Sequence, residues 1–345
     1  MTNKKVDSEF KGDWQKFDQR CRLSSFDDIM TYKRDPKLYI VGNGFIKRGE
    51  MNALVARTDS GKSVMVEQIA VSVACGLPIL TKLKVHGPHK VLLWQSENDD
   101  DVMNTHISAI TDYLQAPKKL LKKNFMTRHV FGLYGEDFAR YLQVDVEKYR
   151  PDLVIVDHYQ SFVCGNMNDA DTFRDWYDPM LHLMEHYNMA VLMVCHTPKI
   201  REGKNEPHYE GMYQAAGTAS LANSVRTGWS IVKEHSQRGR FKIQFEKKVA
   251  STGLRDEDGG IVHSIYAEHS KNPDKPYWVY SENQVTSIKV NVVDVLVAFV
   301  RNNPTVDKRT AVQMAKEGRI PIKRSTVFKY WDTAKKILQQ EDDGQ

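Results

Sequence analysis

The sequence predicts an α/β fold: a mostly parallel sheet with helices on both faces, extended by antiparallel hairpins, and a small C-terminal helical module. Between residues 38 and 249, short apolar runs alternate with longer amphipathic stretches, as parallel strands alternate with crossover helices. Turn signals at residues 237–240 and 258–260 then separate shorter runs, which is typical of hairpins. After residue 285 the spacing is helical, with breaks at Pro304 and Pro321 that favour a helix-turn-helix or winged-helix module.

Each predicted element follows from its local pattern. Five short apolar runs predict buried strands: Met51–Val55, Val91–Gln95, Val130–Tyr134, Leu153–Val156 and Ala190–Cys195. Helical spacing predicts helices over two stretches, Val64–Ala74, which stops at Gly76, and Thr172–Tyr187, which contains Pro179. Three later runs predict antiparallel strands: Trp229–Lys233, Phe241–Glu246 and Ile261–Ala267. The C-terminal helices are predicted at Val290–Val300, at Asp307–Glu317, and from an N-cap at Ser325 to about Leu338.

Composition narrows the class of protein. With 41% hydrophobic and 27% charged residues, the 345-residue chain is neither fibrous nor wholly disordered. The chain contains no run of about 18 apolar residues, so the sequence predicts no membrane span. The N-terminus has no apolar signal core and the four cysteines are scattered, so we expect a cytoplasmic protein. We predict three parts: an arm over residues 1–37, a large α/β domain over residues 38–284, and the helical module over residues 285–345.

The stretch from Ala56 to Val64 is the most informative part of the chain. A predicted buried strand runs into a loop, and Gly-Lys-Ser then begins a helix. This layout suits a nucleotide, because backbone N–H groups surround its phosphates, the lysine adds positive charge and the serine hydroxyl binds Mg²⁺. Alanine stands where the Walker A pattern has its first glycine. The predicted nucleotide-binding residues are Ala56, Arg57, Thr58, Asp59, Ser60, Gly61, Lys62, Ser63 and Val64.

Polar side chains end or follow three other predicted strands. Because ligands of parallel α/β sheets bind at the carboxyl ends of the strands, we expect these side chains near the same nucleotide. Asp157 is predicted to bind Mg²⁺ together with Ser63. Glu97 is predicted to act as general base on an attacking water, and His196 to hydrogen-bond the γ-phosphate.

Together these motifs resemble the RecA-fold motors of the hexameric replicative helicase superfamily, which includes DnaB-like helicases and the compact plasmid RepA-like ATPases. The resemblance covers about residues 38–255. Its motifs are Gly49-Glu50, Ala56–Val64, Gln95–Glu97, Asp157–Gln160, Cys195-His196, Ala216–Arg226 and Phe245–Gly253. The resemblance implies a RecA-like P-loop NTPase core that hydrolyses ATP with Mg²⁺, assembles as a hexameric ring and holds single-stranded DNA in the central channel.

The resemblance also implies roles for single residues. Gln160 is similar to a sensor residue, and Lys199 to the basic residue that follows the histidine in RepA-like members. Three cations occupy positions from which a subunit would reach the nucleotide of its neighbour. Whether this finger is Arg226 or one of Lys247 and Lys248 is left open by the sequence.

Basic residues indicate two regions for contact with nucleic acid. A polar, glycine-containing loop after the His196 strand carries Lys199, Arg201 and Lys204. Residues 285–340 include 11 basic and four acidic residues, so the net charge of this segment is +7, more than the net charge of +5 of the whole chain. Around the start of the last predicted helix, where a recognition helix contacts DNA, the basic residues are Lys323, Arg324 and Lys329. Docking of a replication protein is the alternative for this module.

We therefore expect an ATP-dependent DNA motor, a ring-forming helicase of a plasmid, phage or other mobile element. Two alternatives are open at this point. The first is a RecA/RadA-like recombination ATPase, which pairs DNA strands in filaments. The second is a nucleotide-gated DNA-binding adaptor or helicase loader with weak hydrolysis, which is favoured by Asp59 and by lysine in place of a finger arginine.

Overall fold

The structure is a computed structural model that describes residues 24–166, 169–197, 219–234, 239–282, 296–297, 299–301, 303–317 and 324–342. The chain forms two compact units, Met1–Tyr280 and Ser281–Gln345. Each unit has a hydrophobic core of its own. The predicted α/β fold class is confirmed in the first unit.

A nine-stranded sheet forms the first unit, in the order β11-β10-β9-β8-β3-β7-β6-β4-β5. Its strands are β3 (Met51–Ala56), β4 (Val91–Gln95), β5 (Phe125–His129), β6 (Leu153–Asp157), β7 (Ala190–His196), β8 (Thr227–Lys233), β9 (Arg240–Glu246), β10 (Ser264–His269) and β11 (Trp278–Ser281). The six strands from β8 to β5 are parallel, whereas β9 pairs antiparallel with both β8 and β10. We call the edge where β3, β4, β6, β7 and β8 end the carboxyl edge, and the opposite one the amino edge.

Helices cover both faces of this sheet. They follow α1 (Phe26–Thr31), which buries none of its own residues, and they are α2 (Lys62–Cys75), α3 (Asp100–Leu114), α4 (Lys118–Asn124), α5 (Gly135–Tyr149), α6 (Ala170–Tyr187) and α7 (Ala219–Ser224). One face packs on α2, whose Met65 and Ile69 are fully buried, and the other on α5 and α6 through Phe138 and Trp176. A small sheet of β1 (Tyr39–Val41) and β2 (Ile46–Lys47) precedes β3. Among the described helices, none is long and apolar enough to cross a membrane.

One predicted strand is wrong. The apolar run Val130–Tyr134 is not a strand; it lies in the connection between β5 and α5, and Phe131 is 73% exposed. The strand comes five residues earlier, at Phe125–His129, and forms the end of the sheet beside β4. An end strand is covered on fewer sides, so β5 exposes Met126, Thr127 and Arg128 and has only two apolar residues, too few for a continuous apolar run.

The second unit contains helical residues at 296–297 and 299–301, followed by α8 (Lys308–Lys316) and α9 (Arg324–Asp342). Leu296, Ala311 and Trp331 are among the residues of its core. Asp307 caps α8 by accepting the N–H of Thr310 at 2.7 Å. The predicted N-cap at Ser325 is wrong, because α9 already includes Arg324 and places Ser325 inside its first turn.

Candidate active site

A loop of residues 57–61 joins β3 to α2 at the carboxyl edge of the sheet, and we call it the phosphate loop. Gly61 caps the helix with φ 76°, a left-handed conformation that glycine adopts without strain, and Asp59 is also left-handed at φ 61°. Helix geometry leaves the first N–H groups of α2 without intrahelical partners. Arg57, Thr58 and Asp59 are exposed, whereas Ser60 is buried and its hydroxyl donates to the carbonyl of Arg57 at 2.7 Å.

Lys62 lies in the first turn of α2 and is only 5% exposed. Its Nζ donates to the carbonyl of Arg57 at 3.4 Å, a long and weak contact. Burial lowers the pKa of the Lys62 ammonium, while the charges of Asp157, Glu97 and Asp59 oppose that effect. The positive charge is therefore held at the loop by three carboxylates rather than by a close ion pair.

Asp157 ends β6 beside the same loop and is 4% exposed. Burial raises the pKa of Asp157 to about 7, Glu97 and Glu67 raise it further, and Lys62 opposes them. The hydroxyl of Ser63 hydrogen-bonds to this carboxyl group. The Oδ1 atom of Asp157 is buried without a hydrogen-bond partner among the described residues. A hydroxyl and an unsatisfied carboxylate are hard oxygen donors, so Ser63 and Asp157 fit a Mg²⁺ ion.

Glu97 follows β4 and contacts two histidines. Its Oε1 lies 3.2 Å from Nδ1 of His158 and 3.5 Å from Nε2 of His196. The hydrogen bond from His196 lowers the pKa of Glu97; burial opposes this, and His158 and Lys62 reinforce it. Burial lowers the pKa of His158 to about 4, against the effect of Glu97. At neutral pH the site therefore presents an ionised carboxylate beside a neutral imidazole.

A second layer of hydrogen bonds holds the Glu97 loop. The side chain of Gln95 accepts the N–H groups of Glu97 at 3.1 Å and of Asn98 at 2.8 Å, and donates to the carbonyl of Asn98 at 2.6 Å. Asn98 in turn donates to the buried Glu67 of α2 at 2.9 Å, and His106 of α3 meets the other oxygen of Glu67 at 2.7 Å. The loop that carries Glu97 is thus tied to the helix that carries Lys62.

Aromatic residues from the end of the sheet cover the other side of the phosphate loop. The indole N–H of Trp278 donates to the carbonyl of Gly61 at 3.1 Å. The ring of His269 packs so closely that a Cβ atom at Gly61 would lie 2.1 Å from it. Gln68 of α2 brackets Trp278, donating to its carbonyl at 2.9 Å and accepting its N–H at 2.7 Å.

Three cations occupy the amino edge instead. Arg226 immediately precedes β8, and the others immediately follow β9. Lys248 pairs with Glu50 at 3.1 Å, and Lys247 donates to the carbonyls of Ala222 and Val225. Arg226 is exposed; its backbone N–H donates to the carbonyl of Met51 at 2.8 Å, and its guanidinium has no ion-pair or hydrogen-bond partner among the described residues. At about 3.3 Å per residue the strands separate the two edges by roughly 16–20 Å, so none of these cations reaches the Lys62 loop of its own chain.

Gln160 lies beside this site, whereas the other predicted residues lie in the second unit or outside the described residues. Gln160, in a 3₁₀ turn after β6, donates to the carbonyl of His196 at 3.3 Å, while its Oε1 is buried without a partner in the described part of the chain. Arg324 and Lys329 are exposed on α9 of the second unit. Four predicted residues lie outside the described residues: Lys199, Arg201, Lys204 and Lys323.

The structure therefore brings Lys62, Ser63, Glu97, Asp157 and His196 together at one edge. Sequence reasoning missed residues that complete this site: Glu67, Gln95, His158, His269 and Trp278. His158 had a signal, because it directly follows Asp157 at the end of a buried strand. Trp278 had none, since its contact with Gly61 joins residues 217 positions apart.

One family of known proteins matches the part of the chain that contains these residues. A family model described as an AAA domain (AAA_25) matches residues 18–202, more than half of the chain. The matched segment includes β3, β4, β6 and β7, and with them all five residues that converge at the carboxyl edge. A search of curated proteins finds no match.

Proposed function

The chain belongs to the AAA domain family AAA_25, and its first unit is thus a P-loop ATPase domain; on this premise we propose that the protein is a DNA motor. In this proposal it is a ring-forming, replicative-type helicase that couples ATP hydrolysis to movement on single-stranded DNA. The observation that carries the proposal is the convergence of Lys62, Ser63, Asp157 and Glu97 at the carboxyl edge, where Asp157 Oδ1 is buried without a partner among the described residues.

Hydrolysis assigns a role to each of these side chains. The N–H groups of the loop and of the start of α2 bind the phosphates, and the charge of Lys62 stabilises the β- and γ-phosphates. Mg²⁺ held by Ser63 and Asp157 would neutralise charge that develops on the phosphate oxygens. Glu97 accepts a proton from the water that attacks the γ-phosphorus, while the bond to the ADP oxygen breaks. In this proposal His196 hydrogen-bonds the γ-phosphate, and Gln160, which donates to the carbonyl of His196 at 3.3 Å, acts as a sensor of its loss.

A ring explains the cations at the amino edge. They lie roughly 16–20 Å from the phosphate loop of their own chain, so they can act only on the nucleotide of another subunit. Lys248 is paired with Glu50, and Lys247 is bound to two carbonyls. This supports Arg226 as the finger, since its guanidinium is exposed and can contact phosphate oxygens in bidentate fashion.

The second unit supports binding to nucleic acid. Arg324 and Lys329 are exposed on α9, whereas Lys308 is engaged by Asp332 at 2.7 Å. In this proposal the two exposed cations contact phosphates, and the loop with Lys199, Arg201 and Lys204 contacts DNA in the channel. Each phosphate contact steepens the fall of affinity with salt, so the double variant Arg324→Ala/Lys329→Ala should flatten the salt slope by about two.

A subunit-mixing experiment tests the proposal. Lys62→Ala disables the phosphate loop, and Arg226→Ala disables the finger, so each protein alone should lose about 10³-fold or more of its ATPase turnover. Mixed rings contain interfaces with an intact loop from one subunit and an intact finger from the next, and should recover activity. Lys248→Ala is the matched control and should keep most activity. A mixture as inactive as its parts would count against a shared site.

Turnover with and without single-stranded DNA, together with the mass of the assembly, separates the motor from its alternatives. A motor predicts an oligomer whose turnover rises on addition of single-stranded DNA. One observation favours the adaptor alternative: Asp59 places a carboxylate in the phosphate loop near Lys62. A monomer with slow turnover that DNA leaves unchanged would favour the adaptor over the motor.

A further inference from the structure

Three metal-ligating side chains meet beside the phosphate loop. Glu97 comes from the loop after β4, His158 from the loop after β6, and His196 from the end of β7. One ligand atom of each residue lies within 4.8 Å of the others. Because three adjacent strands fix these positions, the ligands converge without a long flexible segment between them.

The spacing of the ligand atoms suits a tetrahedral transition-metal ion. Zinc binds imidazole nitrogen and carboxylate oxygen at about 2.0–2.2 Å, which places two tetrahedral ligands about 3.3 Å apart. The observed separations from Glu97 Oε1 are 3.2 Å to His158 and 3.5 Å to His196. Two histidines and one glutamate are a known zinc ligand set, and they leave a fourth position for water.

The second nitrogen of His158 is oriented by a neighbour. The hydroxyl of Ser161 lies 3.1 Å from Nε2 and 3.5 Å from Nδ1, and when the nearer nitrogen, Nε2, carries the proton, the lone pair of Nδ1 faces Glu97. Such an outer partner is typical of histidines that bind metals, because it fixes the tautomer and the ring. The ring of His196 packs edge-on against that of His158, with 4.4 Å between their centroids.

We propose that Glu97, His158 and His196 form a binding site for a zinc ion, separate from the Mg²⁺ ligands Ser63 and Asp157. Nitrogen donors favour zinc over magnesium, so millimolar Mg²⁺ should not displace the ion. Zinc at this site occupies the carboxylate oxygen that would otherwise accept a proton from water. Zinc therefore inhibits hydrolysis while the phosphate loop still binds nucleotide, and this consequence alone rests on the proposed function.

Zinc binding is tested on the full-length, tag-free protein by competition with a chromophoric chelator in the presence of Mg²⁺. One zinc ion per chain should bind at this site, and His158→Ala and His196→Ala should each weaken it more than tenfold. Ser161→Ala should weaken it about tenfold through the outer partner. His182→Ala, an exposed histidine on α6, is the matched control and should bind as wild type does. If both ligand variants keep wild-type zinc affinity while folded by circular dichroism, the proposal is overturned.

Inhibition is tested separately, by turnover and by binding of a non-hydrolysable ATP analogue. Zinc should reduce turnover of the wild-type protein at least tenfold, change analogue affinity by less than about threefold, and leave the residual turnover of His158→Ala unaffected. Zinc binding without any effect on turnover would overturn the inhibitory role. A wild-type protein without ATPase activity in zinc-free buffer would instead contradict the proposed function, and the binding result would stand by itself.

Discussion

The two edges of the central sheet differ in how their polar side chains are paired. At the amino edge two acidic side chains pair with cations of the same chain, Asp152 with Arg48 at 2.6 Å and Glu50 with Lys248 at 3.1 Å, while Arg226 is exposed. At the carboxyl edge, polar atoms are buried without a partner among the described residues: Ser96 Oγ, Asp157 Oδ1, Gln160 Oε1, His196 Nδ1 and Thr197 Oγ1. Burying such atoms costs free energy that a bound ligand offsets. The difference favours the carboxyl edge as the one that binds a ligand.

The largest expected effect contrasts one lysine from each edge. Lys62→Ala removes the buried charge at the phosphate loop and should lower ATPase turnover by about 10³-fold or more. Lys90→Ala removes a lysine at the amino edge, whose Nζ donates to the carbonyl of Tyr149 at 3.0 Å, and should leave turnover within about twofold. Steady-state phosphate release from both variants checks this contrast. Equal losses of turnover in the two variants would contradict the assignment of catalysis to the carboxyl edge.

Asp157→Asn should change how stability depends on pH. The folded pKa of Asp157, about 7, lies above its ordinary value of 3.8, so without Mg²⁺ the folded state favours the protonated form. The protonated carboxyl group of Asp157 therefore contributes to folding stability below about pH 4, and this contribution is lost as pH rises towards 7. At pH 8 the metal-free Asn variant should be more stable than wild type, by up to about 4 kcal/mol.

Urea unfolding of both proteins at pH 5 and pH 8, in the presence of a chelator, measures this difference. The stability gained by the Asn variant should grow between the two pH values. A variant that is less stable than wild type at pH 8 would show that the folded protein stabilises the ionised form of Asp157, contrary to the raised pKa.

At the amino edge, Asp152→Asn should lower the free energy of unfolding, whereas Asp157→Asn should raise it. Burial tends to raise the pKa of Asp152, but hydrogen bonds from His89, Arg48 and the N–H of Lys90 lower it to about 2. The stability from this ionised group is thus present above about pH 4 and is lost as pH falls through 2. The variant should be about 2 kcal/mol less stable at pH 7.

The same unfolding measurement at pH 7 and pH 3 checks this prediction. The cost of Asp152→Asn should shrink at the lower pH, while turnover per folded molecule stays close to wild type. A loss of turnover without a loss of stability would mean that the amino edge takes part in the chemistry of its own chain.

Trp278→Phe is expected to have the smallest effect. The change removes the hydrogen bond to the carbonyl of Gly61, worth about 1 kcal/mol, and should weaken nucleotide binding about fivefold. Trp229→Phe is the matched control, because the N–H of that buried indole has no partner among the described residues. Fluorescent-nucleotide titrations compare the two. Similar affinities would show that the contact with Gly61 does not organise the loop.

Much of the fold was predictable from the sequence because four inner strands are buried on both faces. Such strands are continuous apolar runs, and β4 has the predicted bounds, Val91–Gln95. The end strand β5 was missed because its apolar residues, Phe125 and Met126, are followed by polar ones and form no continuous run. The start of α9 was misplaced because Ser325, a residue typical of N-caps, lies within the helix.

Only the residues of the candidate site that lie at the ends of buried strands or at the start of the following helix could be predicted from the sequence. Lys62, Asp157 and His196 were found because each ends a buried strand or begins the helix after one. The residues that orient them depend on contacts between distant segments. Gln68 and Trp278 are 210 positions apart, and Glu67 and His106 are 39 apart, so no local pattern relates them.

The most direct test of the central claim is a measurement on Glu97→Gln, which keeps the shape of the side chain and removes its negative charge. The nucleotide affinity and the steady-state ATPase turnover of this variant are compared with those of the wild-type protein. If Glu97 is the general base at the carboxyl edge, binding stays within about threefold and turnover falls by about 10²–10⁴-fold. Equal turnover in the two proteins would contradict the assignment of this edge as the catalytic site.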